Sequence, residues 1–203
     1  MQVEAELVYG ARAVVGVRGA SGEWAAYPLV GTVQRDGICT ELVMPAPVDD
    51  ETARRAEALA RAVAERVNAV GIVAVELFLT AGGEILLNEI ALRPHNSGHA
   101  TIEAAATSQF HNHLRAVLDW PLGDTSLRAP AAAMVNVLGP PDGSDPRSRL
   151  RDALAVQGAA VHLYGKEPAP GRKLGHVTAL GASTEEALET AHRCAAILSR
   201  VSP

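Results

Sequence analysis

The chain has 203 residues, of which 48% are hydrophobic, and a formal net charge of −5 at pH 7. This length suits one domain with an appendage or two small domains, and it is ample for a buried core. The hydrophobic content argues against disorder, and the net acidity argues against a nucleic-acid partner, because phosphate contacts need clustered Lys and Arg.

Charged residues interrupt every apolar stretch before it reaches the length that spans a bilayer. The first residues include Glu4 and Glu6 and carry no basic segment of the kind that begins a signal peptide. The two cysteines, Cys39 and Cys194, are far apart and form no CxxC motif. We therefore expect a reduced, cytoplasmic protein with no membrane partner.

The first 45 residues favour strands, with short β-prone runs at 13–17, 24–30 and 39–45 separated by turn sequences. Apolar residues then recur at three- and four-residue steps, which predicts an amphipathic helix over about 50–69 with Asp49 or Asp50 as its N-cap.

A β-hairpin follows the helix, formed by GIVAVELFLT, the turn AGG and EILLNEIAL. After it the pattern predicts helices over HATIEAAAT and SQFHNHLRAVLD, strands over AAAMVNVLG, AVHLYG and LGHVTALG, and a final helix. Ser183 or Thr184 is the predicted cap of that helix, with Glu186 in capping-box position. The predicted class is α+β with a mainly antiparallel sheet.

Two glutamates of the hairpin are predicted to face each other. If Gly82 and Gly83 form a two-residue loop, Thr80 faces Ile85, Phe78 faces Leu87 and Glu76 faces Glu89. Like charges so placed destabilise a sheet unless one carboxyl is protonated or a cation lies between them. Mg²⁺ characteristically takes one or two carboxylates plus substrate phosphates. A slipped register, or two glutamates that both reach solvent, is the alternative.

Two polar segments follow the hairpin. RPHNSGH places Arg93, His95, Asn96 and Ser97 just beyond Glu89, where Arg offers a planar fork for an anion and the others add neutral donors. The loop GKEPAPGRKLGH concentrates three cations, which form either a phosphate clamp or a solvated basic turn. These cations, which include the only two lysines of the chain, are Lys166, Arg172 and Lys173.

Four ordered motifs carry a family resemblance: VELFLTAGGEILLNEIALRPHNSGH, TSQF with HLRAV, MVNVLG, and HLYGKEPAPGRKLGHV. Together they resemble the 5-(carboxyamino)imidazole ribonucleotide synthases, PurK-type ATP-grasp ligases of purine biosynthesis. The resemblance implies the C-terminal part of an ATP-grasp fold, with helices on one side of the sheet, plus a small α/β terminal domain. The implied division is a metal- and substrate-bearing part at 1–124 and a terminal domain at 125–203.

The family joins bicarbonate to the amine of aminoimidazole ribonucleotide at the expense of ATP. Carried over by motif, the resemblance implies four groups of residues. Mg²⁺ would bind Glu76 and Glu89. ATP would meet Glu4, Gln34, Asn88 and Glu89. The catalytic residues would be Arg93, His95, Asn96 and Ser97, and the substrate phosphate would meet Lys166, Arg172 and Lys173.

The chain departs from the family pattern at several positions. The family is longer at its N-terminus, where a further domain and the lobe that covers ATP are expected, and a carboxylate that holds the ATP ribose is replaced by Ala11. Other departures are Gly31, Leu92, Ala100 and His111. We therefore expect this polypeptide to be inactive alone, and to form a homodimer or to need a complementing N-terminal polypeptide. A non-catalytic paralogue that binds a nucleotide or a partner, and a ligase resembling the formate-dependent glycinamide ribonucleotide transformylase, are the alternatives.

Overall fold

A computed structural model describes residues 8–201 of the protein. Within these described residues, nine strands form one sheet in which every hydrogen-bonded pair of neighbours is antiparallel. The strands are β1 Val8–Arg18, β2 Trp24–Ala26, β3 Val30–Arg35, β4 Ile38–Met44, β5 Gly71–Thr80, β6 Ile85–Ala91, β7 Ala131–Leu138, β8 Ala159–Leu163 and β9 Lys173–Gly181. Their order across the sheet is β6-β5-β1-β3-β4-β7-β9-β8, and β2 pairs with β1.

Five α-helices accompany the sheet in the part of the chain that the structure describes. They are α1 Asp50–Arg66, α2 Thr101–Ala104, α3 Gln109–Val117, α4 Leu150–Ala153 and α5 Thr184–Leu198. The two long helices begin at caps that the sequence predicts. The side chain of Asp49 accepts a hydrogen bond from the backbone N–H of Thr52 at 2.7 Å, and Ser183 accepts from that of Glu186 at 3.3 Å.

The helices cover both faces of the sheet, so the expectation of helices on one side is wrong. Successive side chains of a strand point to opposite faces. In β1, Val14 packs in the cluster that contains the buried alanines of α1, whereas Val15 packs with Ala116 of α3. Following the cross-strand registers, Val135 of β7, which packs against α5, lies on the same face as Val14. The opposite face, toward α2 and α3, is called the α3 face below.

The physical reason for two covered faces lies in the central strands. The first five residues of β5, 71–75, are all buried although they point to alternate faces, and such a strand must be covered on both sides. The predicted run 24–30 is also broken, because β2 ends at Ala26 and β3 begins at Val30. Among residues 8–201, no helix has both the length and the apolar character needed to cross a membrane.

Candidate functional site

The turn of the β5–β6 hairpin is one residue longer than the two-residue prediction. The backbone N–H of Thr80 donates to the carbonyl of Glu84 at 2.9 Å, so the loop has three residues and ends on a glycine at φ 78°. This is a common three-residue hairpin geometry. The predicted pairings of Thr80 with Ile85 and of Phe78 with Leu87 are therefore wrong, each displaced by one residue.

A β-bulge then restores the predicted glutamate pair. Leu77 faces Leu87, but the next pair is Glu76 with Glu89, so Asn88 is an extra residue in β6. A bulge adds one residue to one strand. Here it compensates for the longer turn and returns the second glutamate to the α3 face. The facing carboxylates are confirmed, although the sequence argument reached them through an incorrect turn.

The electrostatics of the pair favour a bound cation. Glu76 is half-buried and Glu89 exposed. Burial, followed by the charge of Glu89, raises the pKa of Glu76, whereas nearby Lys173 lowers it. One ligand atom each from Glu76, Glu89 and His95 lies within 4.8 Å of the others. Two carboxylates at this spacing fit a hard divalent cation such as Mg²⁺, which relieves their repulsion.

His95 is held in place by a buried glutamine. Gln109, which is 0% exposed, accepts from the backbone N–H of His95 at 2.9 Å and donates to its carbonyl at 2.8 Å. His95 Nδ1 accepts from the N–H of Ser97 at 3.4 Å, so Nε2 carries the hydrogen. That atom lies 3.7 Å from the carboxylate of Glu76.

Burial, then the charge of Arg93, lowers the pKa of His95. A neutral imidazole with its hydrogen on Nε2 can donate to an oxygen beside the carboxylate pair, whereas Glu76 and Glu89 are the groups that could hold a cation.

The remaining residues of the RPHNSGH loop differ in whether their side chains can donate a hydrogen bond to a ligand. Arg93 is exposed, and its guanidinium donates to the carbonyl of Pro94 at 3.0 Å. The side-chain nitrogen of Asn96 is buried and finds no hydrogen-bond partner among the described residues, which leaves a donor for a ligand oxygen. Ser97 is buried, at 2% exposure. The loop thus offers Arg93, His95 and Asn96 as donors.

A cavity of about 450 Å³ adjoins the carboxylates on the hairpin side. Three of the four residues predicted to meet ATP line it, namely Gln34, Asn88 and Glu89, and so does Ala11. The fourth, Glu4, falls outside the described residues. A larger cavity, of about 600 Å³, lies beside the start of α1 and is lined by none of the residues predicted to meet ATP. The smaller cavity is therefore the better candidate for a nucleotide site.

The three predicted phosphate-binding cations occupy two places. Lys166 is exposed, with its ammonium 5.3 Å from the centre of the Tyr164 ring. Arg172 is also exposed and donates to the carbonyl of Glu167 at 3.0 Å. Lys173 instead begins β9, close enough to the carboxylate pair to lower the pKa of Glu76. The structure therefore places one cation beside the carboxylates and two on the loop.

Sequence reasoning missed a group of aromatic and histidine side chains on the α3 face. His99 lies 5.2 Å from His176, and His162 stacks on His176 at 4.5 Å, measured between ring centres. Gln109 also belongs to the missed residues. None of these residues stands in a recognisable spacing, because His99 and His176 lie 77 positions apart in the sequence. The pairing of β8 with β9 sets His162 opposite His176, and the packing of α2 against β9 brings His99 beside them.

Comparison with known proteins identifies the class. Residues 5–110, just over half of the chain, match the ATP-grasp domain family. The chain therefore belongs to the ATP-grasp family, and its antiparallel sheet with accompanying helices is the α+β architecture that the resemblance implied. Residues 132–190 match the phosphoribosylaminoimidazole carboxylase C-terminal domain.

Within that class the chain is similar to a particular ligase. It is 48% identical over 186 residues to N5-carboxyaminoimidazole ribonucleotide synthase of Mycobacterium tuberculosis (strain ATCC 25618 / H37Rv), covering 90% of this chain and 43% of the relative. The solved synthetase from Thermotoga maritima matches with a TM-score of 0.85 and 42% identity, over 98% of this chain and 54% of that one.

The Aspergillus clavatus synthase, in complex with ADP and 5-aminoimidazole ribonucleotide, matches with a TM-score of 0.85 and 37% identity, over 96% of this chain and 52% of that one. The chain thus spans about half the length of the relatives that it matches, and the resemblance read from its motifs is confirmed.

Proposed function

We propose that this chain is the metal- and substrate-bearing part of an ATP-dependent carboxylating ligase that converts 5-aminoimidazole ribonucleotide and bicarbonate to 5-(carboxyamino)imidazole ribonucleotide. The observation that carries the proposal is the Glu76–Glu89 pair, set between a cavity lined by Gln34 and Asn88 and the donors of the RPHNSGH loop. A cavity, facing carboxylates and a donor loop are the parts that phosphoryl transfer needs.

The residues divide the work in two steps. Glu76 and Glu89 would hold Mg²⁺, which would supply positive charge to the phosphate oxygens. In the first step the γ-phosphoryl group would pass from ATP to a bicarbonate oxygen, with ADP as the leaving group. Arg93, His95 Nε2 and Asn96 would donate to the oxygens of the resulting carboxyphosphate. The amine nitrogen of the ribonucleotide then bonds to its carbon, phosphate leaves, and the amine loses a proton.

The cations of the second group would orient the ribonucleotide. Lys166 and Arg172 are exposed on a glycine- and proline-containing loop, and such a loop can approach a phosphate closely. Lys173, beside Glu76, lies between this loop and the carboxylates. Holding the amine next to the carbon of carboxyphosphate in this way would account for much of the acceleration of a reaction between two molecules.

We propose a boundary between the two parts at 124/125, within the single sheet. The matched ranges 5–110 and 132–190 lie on either side of it. β7 joins the parts by pairing with β4.

A partner polypeptide or a second copy is also proposed. Large apolar side chains are exposed on two surfaces of the described part of the chain. They are Leu86, Leu87 and Ile90 on β6, and Phe110, Leu114, Val117, Leu118 and Trp120 on and just after α3. Exposed apolar clusters of this kind mark interaction surfaces.

The cation site is tested by calorimetry with MgCl₂ and with ATP. We expect Mg²⁺-dependent ATP binding that Glu89→Gln abolishes. Glu84→Gln is the matched control, because Glu84 is an exposed hairpin glutamate outside the pair, and it should bind as the wild type does. Equal behaviour of the two variants would refute the assignment.

Turnover is tested by phosphate release with ATP, bicarbonate and 5-aminoimidazole ribonucleotide. We expect none from the 203-residue polypeptide alone, and recovery on mixing with the N-terminal part of a relative. Release by the chain alone at above about 0.1 per second, close to ordinary enzyme rates, would overturn the need for a partner. Stimulation by glycinamide ribonucleotide instead would point to the transformylase-like alternative.

A further inference from the structure

A connected set of side chains on the α3 face ends at Lys166. His162 Nε2 donates to Glu103 at 2.7 Å and its ring stacks on His176. The hydroxyl of Tyr164 forms a 2.8 Å hydrogen bond with His176 Nδ1. The Tyr164 ring lies in turn beneath the ammonium group of Lys166. The set thus runs from α2 through β8 and β9 into the loop GKEPAPGRKLGH, which is called the basic loop below.

The hydrogen bond to Tyr164 is a strong restraint, because His176 has little else to bond with. The His176 side chain is 2% exposed, and its Nε2 atom is buried without a hydrogen-bond partner among the described residues. Breaking the Nδ1 bond would leave both ring nitrogens unsatisfied in the interior, which is costly. Burial, the main cause, lowers the pKa of His176 to about 3, so the bond involves a neutral imidazole at ordinary pH.

A second contact fixes the orientation of the tyrosine ring. His99 meets Tyr164 in an edge-to-face arrangement, with ring centres 6.2 Å apart and planes at 79°. His99 itself is bonded through Nδ1 to the side-chain nitrogen of Gln109 at 2.9 Å, and Gln109 also holds the backbone of His95. The same glutamine therefore positions both the Tyr164 ring, through His99, and the RPHNSGH loop, which is called the donor loop below.

Lys166 needs such a support. It is exposed on a loop that starts at Gly165, a residue with φ 67°, and a free lysine side chain has a large rotamer entropy. An ammonium over an aromatic face is attracted by the ring quadrupole. The ring thus restricts the directions in which Lys166 can present its charge.

We propose that Tyr164, held by His176 and His99, is a positioning residue that directs the Lys166 ammonium to the phosphate of the ribonucleotide substrate. This role rests on the proposed function, since it requires the basic loop to receive that phosphate. It adds a residue that touches no reacting atom and that ties the basic loop to the donor loop through one buried glutamine.

Calorimetry compares 5-aminoimidazole ribonucleotide with its phosphate-free riboside. Tyr164→Leu removes the ring and should weaken ribonucleotide binding about fivefold, or ~1 kcal/mol, while the riboside is unaffected. Tyr164→Phe keeps the ring and loses the hydroxyl, so about a twofold loss is expected. Tyr27→Phe is the matched control, since the Tyr27 hydroxyl bonds to Asn112 and to the carbonyl of Thr107, away from the basic loop.

A double-mutant cycle isolates the pair. In a Lys166→Met background, Tyr164→Leu should cause no further loss of ribonucleotide affinity. A general structural defect would instead weaken both ligands or act independently of Lys166, and either result would overturn the role. Ribonucleotide binding that persists unchanged in Tyr164→Leu would overturn it too, while leaving the proposed function intact. If the wild type binds no ribonucleotide, the substrate site itself is refuted, and the role with it.

A measurement without ligand checks the contact. The chain has only two lysines, so reductive methylation with ¹³C-formaldehyde gives two lysine signals, which Lys166→Met assigns. The ring current of Tyr164 should displace the Lys166 signal upfield, and Tyr164→Leu should return it to the position of an ordinary exposed lysine. A Lys166 signal that Tyr164→Leu leaves in place would contradict the geometry.

Discussion

The buried imidazole of His176 makes the folded protein sensitive to mild acid. Its side chain lies between the rings of His99 and His162, with the Tyr164 hydroxyl on Nδ1. Burial is the largest cause that lowers its pKa from 6.5 to about 3, and the neighbouring histidines add to the effect. The same group titrates near pH 6.5 in the unfolded chain. Folding therefore holds neutral an imidazole that the unfolded chain protonates.

The sign and size of the effect follow from this difference. Above pH 6.5 both states carry the neutral ring, and the stability is fully present. Below pH 6.5 the unfolded chain binds a proton that the folded protein excludes, so stability falls until the pH approaches the folded value of about 3. At about 1.4 kcal/mol per pH unit, His176 alone lowers the free energy of unfolding by about 2 kcal/mol at pH 5. Burial shifts His99 in the same direction, with a pKa of about 4.

The assay is urea unfolding followed by tryptophan fluorescence at pH 8, 6.5 and 5. We expect His176→Gln to be less stable at pH 8 but to lose about 2 kcal/mol less than the wild type between pH 8 and pH 5. His111→Gln replaces an exposed histidine and should keep the wild-type pH dependence. If all three proteins lose stability in parallel, the folded protein accepts a proton at His176 and the reasoning is refuted.

Three further substitutions test the site and the fold. Glu76→Gln removes like-charge repulsion and should raise the melting temperature by roughly 2–4 °C, while Mg²⁺ should cause no further rise in a fluorimetric melt. Asn112→Ala deletes buried hydrogen bonds to Gly123 and should cost about 3 kcal/mol in urea unfolding; a change below about 1 kcal/mol would contradict this. Gly175→Ala would bring a methyl group into steric clash with the backbone carbonyl oxygen of His162, so hydrogen exchange across β8–β9 should accelerate markedly, and unchanged protection would refute the clash.

Sequence patterns correctly predicted helices whose period and capping residues lie close together in the chain. The period of three to four residues and the carboxylate at Asp49 place α1, and the observed helix ends at Arg66, three residues before the predicted end. The capping interaction of Ser183 with Glu186 likewise depends on neighbours in sequence. The break between β2 and β3 was missed although Pro28 lies in it, and proline has no N–H to donate to a neighbouring strand. The pairing partners in the sheet decide where each strand ends.

The glutamate pair shows how far such reasoning reaches. Composition and turn chemistry place two carboxylates on adjacent strands, and the alternation of side chains limits them to the same face or to opposite faces. The outcome depends on the number of residues in the turn and on the bulge at Asn88. Turn and bulge each shift the register by one residue, and backbone packing settles both.

The sequence by itself determined the family, through four ordered motifs, and the identities of the acids, cations and loop donors. Tertiary structure alone decided that helices cover both faces, that Lys173 lies beside Glu76, and that His99, His162 and His176 meet. These contacts join residues that are distant along the chain, and their geometry depends on strand order and side-chain burial. No periodicity encodes such contacts, because they exist only once the sheet has formed.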